Sequence, residues 1–198
     1  MRQFVHHRRR RLGDLLGASV PLQAALREQA PGFEADAAAW LAEATAGCGD
    51  LGLGSASATL ARLETEFALV TRGIDPDRGA RVETYRRQFR QAGWGQAVGS
   101  AQQTLQEAYA REAGLLEDAR QQLGRLLIAA LQAEVVSRGD LAAARDPDAA
   151  QALWRRLVDS AAFGLPCRQI LLAVIDADAA LLTVELAGRL SGGAADPT

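Results

Sequence analysis

Residues 105–130 read LQEAYAREAGLLEDARQQLGRLLIAA, and in them Leu105, Tyr109, Glu112, Leu116, Ala119, Leu123, Leu126 and Ala130 alternate four and three apart. That spacing keeps eight side chains on one face of an α-helix. The helical pattern runs over roughly 96–137, and about 40 residues at 1.5 Å each would span roughly 60 Å. Such a helix either bends near Gly114 or Gly124 or runs out to meet a partner. Two arrangements bury its seam: an antiparallel bundle within the chain, or a coiled-coil contact between chains.

The rest of the sequence repeats the three- and four-residue spacing and nowhere sustains the alternation of a half-buried strand. Apolar residues make up 48% of the chain and aromatics only 5%, so the core is mainly Leu, Val and Ala, which suits helices better than strands. The fold class is therefore all-α, an elongated antiparallel helical bundle with one long central helix. Shorter helices are predicted over 2–16, over 21–30 with Pro21 in its first turn, over 33–46, over 58–72 and over 166–190. The domain reading is a basic segment at 1–20, a bundle at 21–190 and a disordered tail at 191–198.

Joints are read from glycine, aspartate and proline. In "GCGDLGLGS" (47–55), Gly47, Gly49 and Gly52 fall on a G-x-G-x-x-G spacing, which binds a dinucleotide only where a strand enters and a helix leaves. Here a helix enters, so the stretch reads as a hinge, with Gly47 ending one helix and Ser55 or Ser57 capping the next. Asp75-Pro76 and Asp146-Pro147 read as helix starts, aspartate capping and proline in the first turn. "YRRQFRQAGWG" from Tyr85 and "WRRLVDSAAFG" from Trp154 align without gaps, a possible duplicated unit.

Composition excludes several chemistries. The chain contains no Lys and no Asn, a usage that fits a GC-rich bacterial genome. There is accordingly no Walker A clamp, Schiff-base lysine or Ser-Lys pair. His6 and His7 are the only histidines, so a catalytic triad or multi-histidine metal site would have to recruit the N-terminal segment. Cys48 and Cys167 lie in no C-x-x-C motif and read as reduced thiols of a cytoplasmic protein, although one long-range bridge stays open. No cofactor and no metal are expected.

The N-terminal apolar stretch is interrupted by Asp14 and followed by Pro21, leaving no signal-peptide core. The most hydrophobic window, "ILLAVIDADAALLTVELAG" (170–188), carries Asp176, Asp178 and Glu185, so an integral membrane protein is not expected.

Two groups of charged residues stand out. Arg2, Arg8, Arg9, Arg10 and Arg11 concentrate positive charge in a chain whose net charge is −2, the asymmetry of a segment that touches nucleic acid, an anionic membrane surface or an acidic partner. In the last helix, Asp178, Glu185 and Arg189 project into an arc of large apolar side chains, with Glu185 and Arg189 spaced for a salt bridge. Buried charge is costly unless paired. This group is therefore an internal network, with a neighbouring arginine holding Asp178, or a face turned to a polar partner. A catalytic carboxylate pair is a third reading. Asp176 and Asp178 diverge by about 200° on a helix and cannot share a metal ion.

"AAARDPDAAQALWRRLVDSA" (142–161) resembles the helix-joint-helix region of phasins, bacterial proteins that coat polyester storage granules, over about a tenth of the chain. The resemblance implies an amphipathic coating role. The sequence thus predicts a non-enzymatic protein–protein interaction module, an adaptor, scaffold or accessory subunit, docking or self-associating through the long helix or the last helix. The alternative is a protein that binds nucleic acid or an anionic surface through its arginine-rich terminus.

Overall fold

The structure is a computed structural model that describes residues 4–192. Among the described residues it is all-helical: α1 (Val5–Glu28), α2 (Phe33–Asp50), α3 (Gly54–Thr71), α4 (Arg86–Gln132), α5 (Arg138–Ala143), α6 (Pro147–Asp159), α7 (Gly164–Ile170) and α8 (Asp176–Gly192). The long central helix is α4, 47 residues without interruption at Gly114 or Gly124. The chain divides into two compact units, one of residues 8–111 and one of residues 1–7 with 112–198. Residue 20, where the basic segment was expected to end, lies inside α1. Of the expected tail, α8 takes in residues 191 and 192, and 193–198 lie outside the described residues.

In the unit of residues 8–111, α1 runs straight through Pro21, where a second helix was expected to begin. An interior proline costs about 3 kcal/mol through its missing N–H and its clash with the preceding turn. Pro21 and Gly17, whose carbonyl the ring orphans, both lie on the exposed face, so water can take that carbonyl. On the opposite face Leu12, Leu15, Ser19 and Leu22 form one buried stripe across the proline. A buried leucine contributes about 1.5–3 kcal/mol, and the stripe outweighs the break.

The glycine-rich stretch is also more helical than expected. Gly47 and Gly49 are inside α2, and the left-handed residue is Gly52 at φ +69°. Gly52 N–H donates to Gly49 O and Leu53 N–H to Cys48 O, both at 2.9 Å, which is a Schellman ending displaced five residues from Gly47. Gly47 serves packing: a Cβ there would stand 3.3 Å from Leu15 Cδ1 of α1. Neither expected serine caps α3, whose N-cap is Leu53; Ser57 Oγ donates to Thr45 O of α2 at 3.0 Å.

Asp75 does not start a helix either. Its carboxylate accepts from Asp77 N–H at 3.0 Å, but Gly79 at φ +64° reverses the chain and Asp75 N–H pairs with Ala80 O at 2.9 Å. The result is a closed turn ahead of α4. The core between these elements holds Leu41, Leu60, Phe67, Ala101 and Leu105.

In the unit of residues 112–192, the seam of α4 is buried as its spacing required, with Leu116, Ala119, Leu123, Leu126 and Ala130 at 6% exposure or less. Ser137 and Asp140 form a reciprocal capping box on α5. Asp146 caps α6, accepting from Asp148 and Ala149 N–H, with Pro147 in the first turn as expected. The amphipathic α6 buries Ala150, Leu153, Trp154 and Leu157. Trp154 is fully buried inside its helix, whereas Tyr85, its counterpart in the sequence echo, precedes α4 and is 78% exposed. The echo therefore has no structural equivalence at its aromatic positions. The expected last helix is two helices, α7 and α8, separated by a turn over 171–175.

Candidate functional site

The break before α8 leaves a helix N-terminus, and one carboxylate sits on its first turn. A helix N-terminus exposes N–H groups without intrahelical acceptors and carries the positive end of the dipole. Asp178, on the first turn of α8, accepts from its own Ile175 N–H at 3.3 Å. It also accepts from Val5 N–H at 3.0 Å and His6 N–H at 3.1 Å, the first donors of α1. His6 Nδ1 lies 2.7 Å from Asp178 Oδ1. One carboxylate thus caps two helices, and α1, whose first turn holds no acid of its own, obtains its negative charge from α8.

Asp178 is fully buried. Burial is the largest influence on its acidity and acts to raise the pKa, but His6 and the N–H groups of Val5, His6 and Ile175 together hold it below the ordinary carboxylate value. The partner is therefore backbone and imidazole, not the arginine expected. Asp176, two residues earlier, accepts from Trp154 Nε1 at 2.8 Å. The two aspartates serve separate structural bonds, and among the described residues no group of three or more His, Cys, Asp or Glu is placed to hold a metal.

Glu185 and Arg189 do not join Asp178. Both are exposed, and Glu185 pairs with Arg120 of α4 at 2.7 Å instead of with Arg189. Arg120 also holds Glu117 at 2.6 Å, and this bond, with a second from Gln121 Nε2, keeps the Glu117 carboxyl below its usual range. Such exposed pairs contribute little stability.

The described arginines of the N-terminal run, Arg8–Arg11, spread round α1. Arg9 lies over the Tyr109 ring, 5.6 Å from its centre, and donates to the Tyr109 hydroxyl at 3.2 Å. Arg11 pairs with Glu43 at 2.7 Å. Arg8 is half-buried and Arg10 exposed, and Arg2 lies outside the described residues. Successive helical residues point about 100° apart, which is why a run of four arginines spreads round α1.

Cys48 and Cys167 are buried free thiols, one in each unit. Burial raises both, Cys167 to about 11, leaving them in the unreactive thiol form.

Two concavities were not foreseen. In the unit of residues 112–192, α4 and α7 border a groove of about 520 Å³ with Leu126, Ala129, Phe163 and Ile170 on its walls and Arg125 as its charged lining residue. Leu165 and Leu172, on either side of this stretch of α7, are 68% and 72% exposed. In the unit of residues 8–111, a cavity of about 660 Å³ lies among the end of α1, the start of α2 and the start of α4. The one sequence signal for the second was the arginine pair after Tyr85, read there only as part of a repeat. No protein-family model, curated protein or solved structure matches the chain.

Proposed function

We propose that the protein is a non-enzymatic interaction module, an adaptor, scaffold or accessory subunit, whose docking face is the groove between α4 and α7. The observation that carries this reading is the groove walled by Leu126, Ala129, Phe163 and Ile170, with Leu165 on α7 and Leu172 just after it exposed at 68% and 72% close in sequence to its lining residues Pro166, Gln169 and Ile170. An apolar groove with a polar rim accepts the apolar face of an amphipathic helix. The charged lining residue is Arg125, and Arg168 stands exposed on α7, so the fitting occupant is a helical segment of a partner protein with acidic residues flanking its apolar face. The reading through Arg8–Arg11 draws less support, because Arg9 and Arg11 are already engaged within the molecule.

A photoreactive residue at position 165 or 172, installed in the native host, tests the reading. The expected result is one dominant adduct mapping to an acidic amphipathic helix of another protein, with none from a control at Val20, also exposed but in the other unit. A double Leu165→Asp, Leu172→Asp variant should then weaken the reconstituted complex by about tenfold or more. Adducts only to a second copy of this chain, or none from either position, would overturn it.

A further inference from the structure

The cavity in the unit of residues 8–111 has the composition of an anion site with an aromatic wall. Its volume, about 660 Å³, falls within the range of small-molecule sites. Arg86, Arg87 and Arg90 line it from the first two turns of α4, and Trp94, one turn further, shares that face. Phe33, at the start of α2, closes the apolar side, its ring centre 5.7 Å from that of Trp94. Trp94 is fixed by donating from Nε1 to Thr71 Oγ1 at 3.0 Å, and Phe67 stacks behind it at 6.3 Å.

The charges are placed against the helix dipole. Arg86 and Arg87 occupy the first turn of α4, which holds no acid, so two cations sit at the positive end of a helix dipole. The start of α2 also lines the cavity, and its N-cap, Gly32, offers no side chain to the free N–H groups. Arg86 is neutralised by Glu83 at 3.1 Å. Arg87 has as hydrogen-bond partner the neutral Gln29. Arg90 has a buried Nε with no hydrogen-bond partner among the described residues. Glu34 is the carboxylate in the lining, on the first turn of α2, set against that helix's own positive end. Local conflicts of this kind mark functional positions.

We propose that this cavity binds a small phosphomonoester with a planar aromatic body, the size and chemistry of a mononucleotide. Arg87 and Arg90, two cations without a carboxylate partner, match the roughly two negative charges of a phosphomonoester at neutral pH. Guanidinium groups pair with phosphate oxygens two at a time, and the α2 N-terminus adds backbone donors. The ring of the ligand lies against Trp94 and Phe33.

Calorimetric titration of the full chain with adenosine 5′-monophosphate, phenyl phosphate, adenosine and inorganic phosphate tests the assignment. Both phosphomonoesters should bind with Kd below about 1 mM, and adenosine and inorganic phosphate at least about tenfold more weakly. Arg87→Gln with Arg90→Gln should weaken phosphomonoester binding by about tenfold or more without altering the thermal melt. Arg10→Gln, a distant exposed control, should leave binding unchanged, and Glu34→Gln should strengthen it a few-fold. Absence of binding by both phosphomonoesters, inorganic phosphate binding as tightly as either, or the double arginine variant binding like the parent would overturn the proposal.

Discussion

Two buried polar clusters hold the chain together, one in each unit, and they are built on opposite principles. In the unit of residues 1–7 and 112–198, a fully buried charge, Asp178, gathers Val5, His6 and Ile175. In the unit of residues 8–111 the cluster is neutral: Gln102 Nε2 donates to Ser19 Oγ at 2.8 Å, and Gln23 Nε2 donates to Gln102 Oε1 at 2.6 Å. The first fastens two helix N-termini with one carboxylate, where the dipoles reward a negative charge. The second fastens the middle of α1 to α4, where no dipole end is available and a charge would have no such reward. The difference teaches that a helix end supplies the free donors and the dipole that reward a buried carboxylate, which the middle of α1 does not.

This contrast is testable, beginning with the largest effect. Asp178→Ala leaves three N–H groups and the His6 ring without their acceptor, and should cost about 3–5 kcal/mol in chemical denaturation, the range for breaking a buried charged cluster. Asp178→Asn keeps an acceptor oxygen and should cost less. If Asp178→Ala melted with the parent, the carboxylate would not be the fastener of that unit.

Acid should separate the clusters next. The folded Asp178 pKa lies below the ordinary 3.8, so the unfolded chain binds the proton more readily. The stabilisation is complete above about pH 4–5 and is lost as pH falls through the lowered folded value. Asp140, held at about 2 by Arg156 and Ser137, loses its own contribution over the same window. Stability measured from pH 6 down to pH 2 should therefore fall in the parent and fall less in Asp178→Asn. An identical acid slope in both would break the comparison.

Gln102→Leu, in the neutral cluster, should cost about 1–3 kcal/mol by removing its hydrogen bonds to Ser19, which keeps its bond to Leu16 O, and to the exposed Gln23, and the cost should be the same at pH 7 and pH 4. A cost that changed with pH would mean this cluster senses charge after all. Smallest, and outside both clusters, Gly52→Ala forces a side chain into a φ of +69° and should cost about 1–2 kcal/mol. Gly54→Ala, inside α3 with open space around its Cβ position, should be neutral or slightly stabilising.

The seam of α4 was legible because its spacing runs uninterrupted through both units, and Leu105, Leu116, Leu123 and Ala130 are buried as the period demands. Asp146-Pro147 was legible because the cap and the first-turn proline are local devices. Asp75-Pro76 carries the same letters and forms a turn, since Gly79 and the Asp75–Ala80 pairing end the helix before it grows. Pro21 misled for the opposite reason: local chemistry said stop, and the buried stripe of Leu15, Ser19 and Leu22 overrode it. Gly47 was read as a joint when its missing Cβ makes room for Leu15.

By itself the sequence determined the secondary-structure class, the face of the long helix that is buried, the caps of α6, and the fact that a charge at position 178 needed a partner. Only the tertiary structure decided which partner, because the donors are backbone N–H groups 173 and 172 residues away in sequence, and every residue but proline carries such a donor. The same holds for the arginine-lined cavity. Its walls come from α1, α2 and α4, and no spacing along one helix records what another helix brings to the same place.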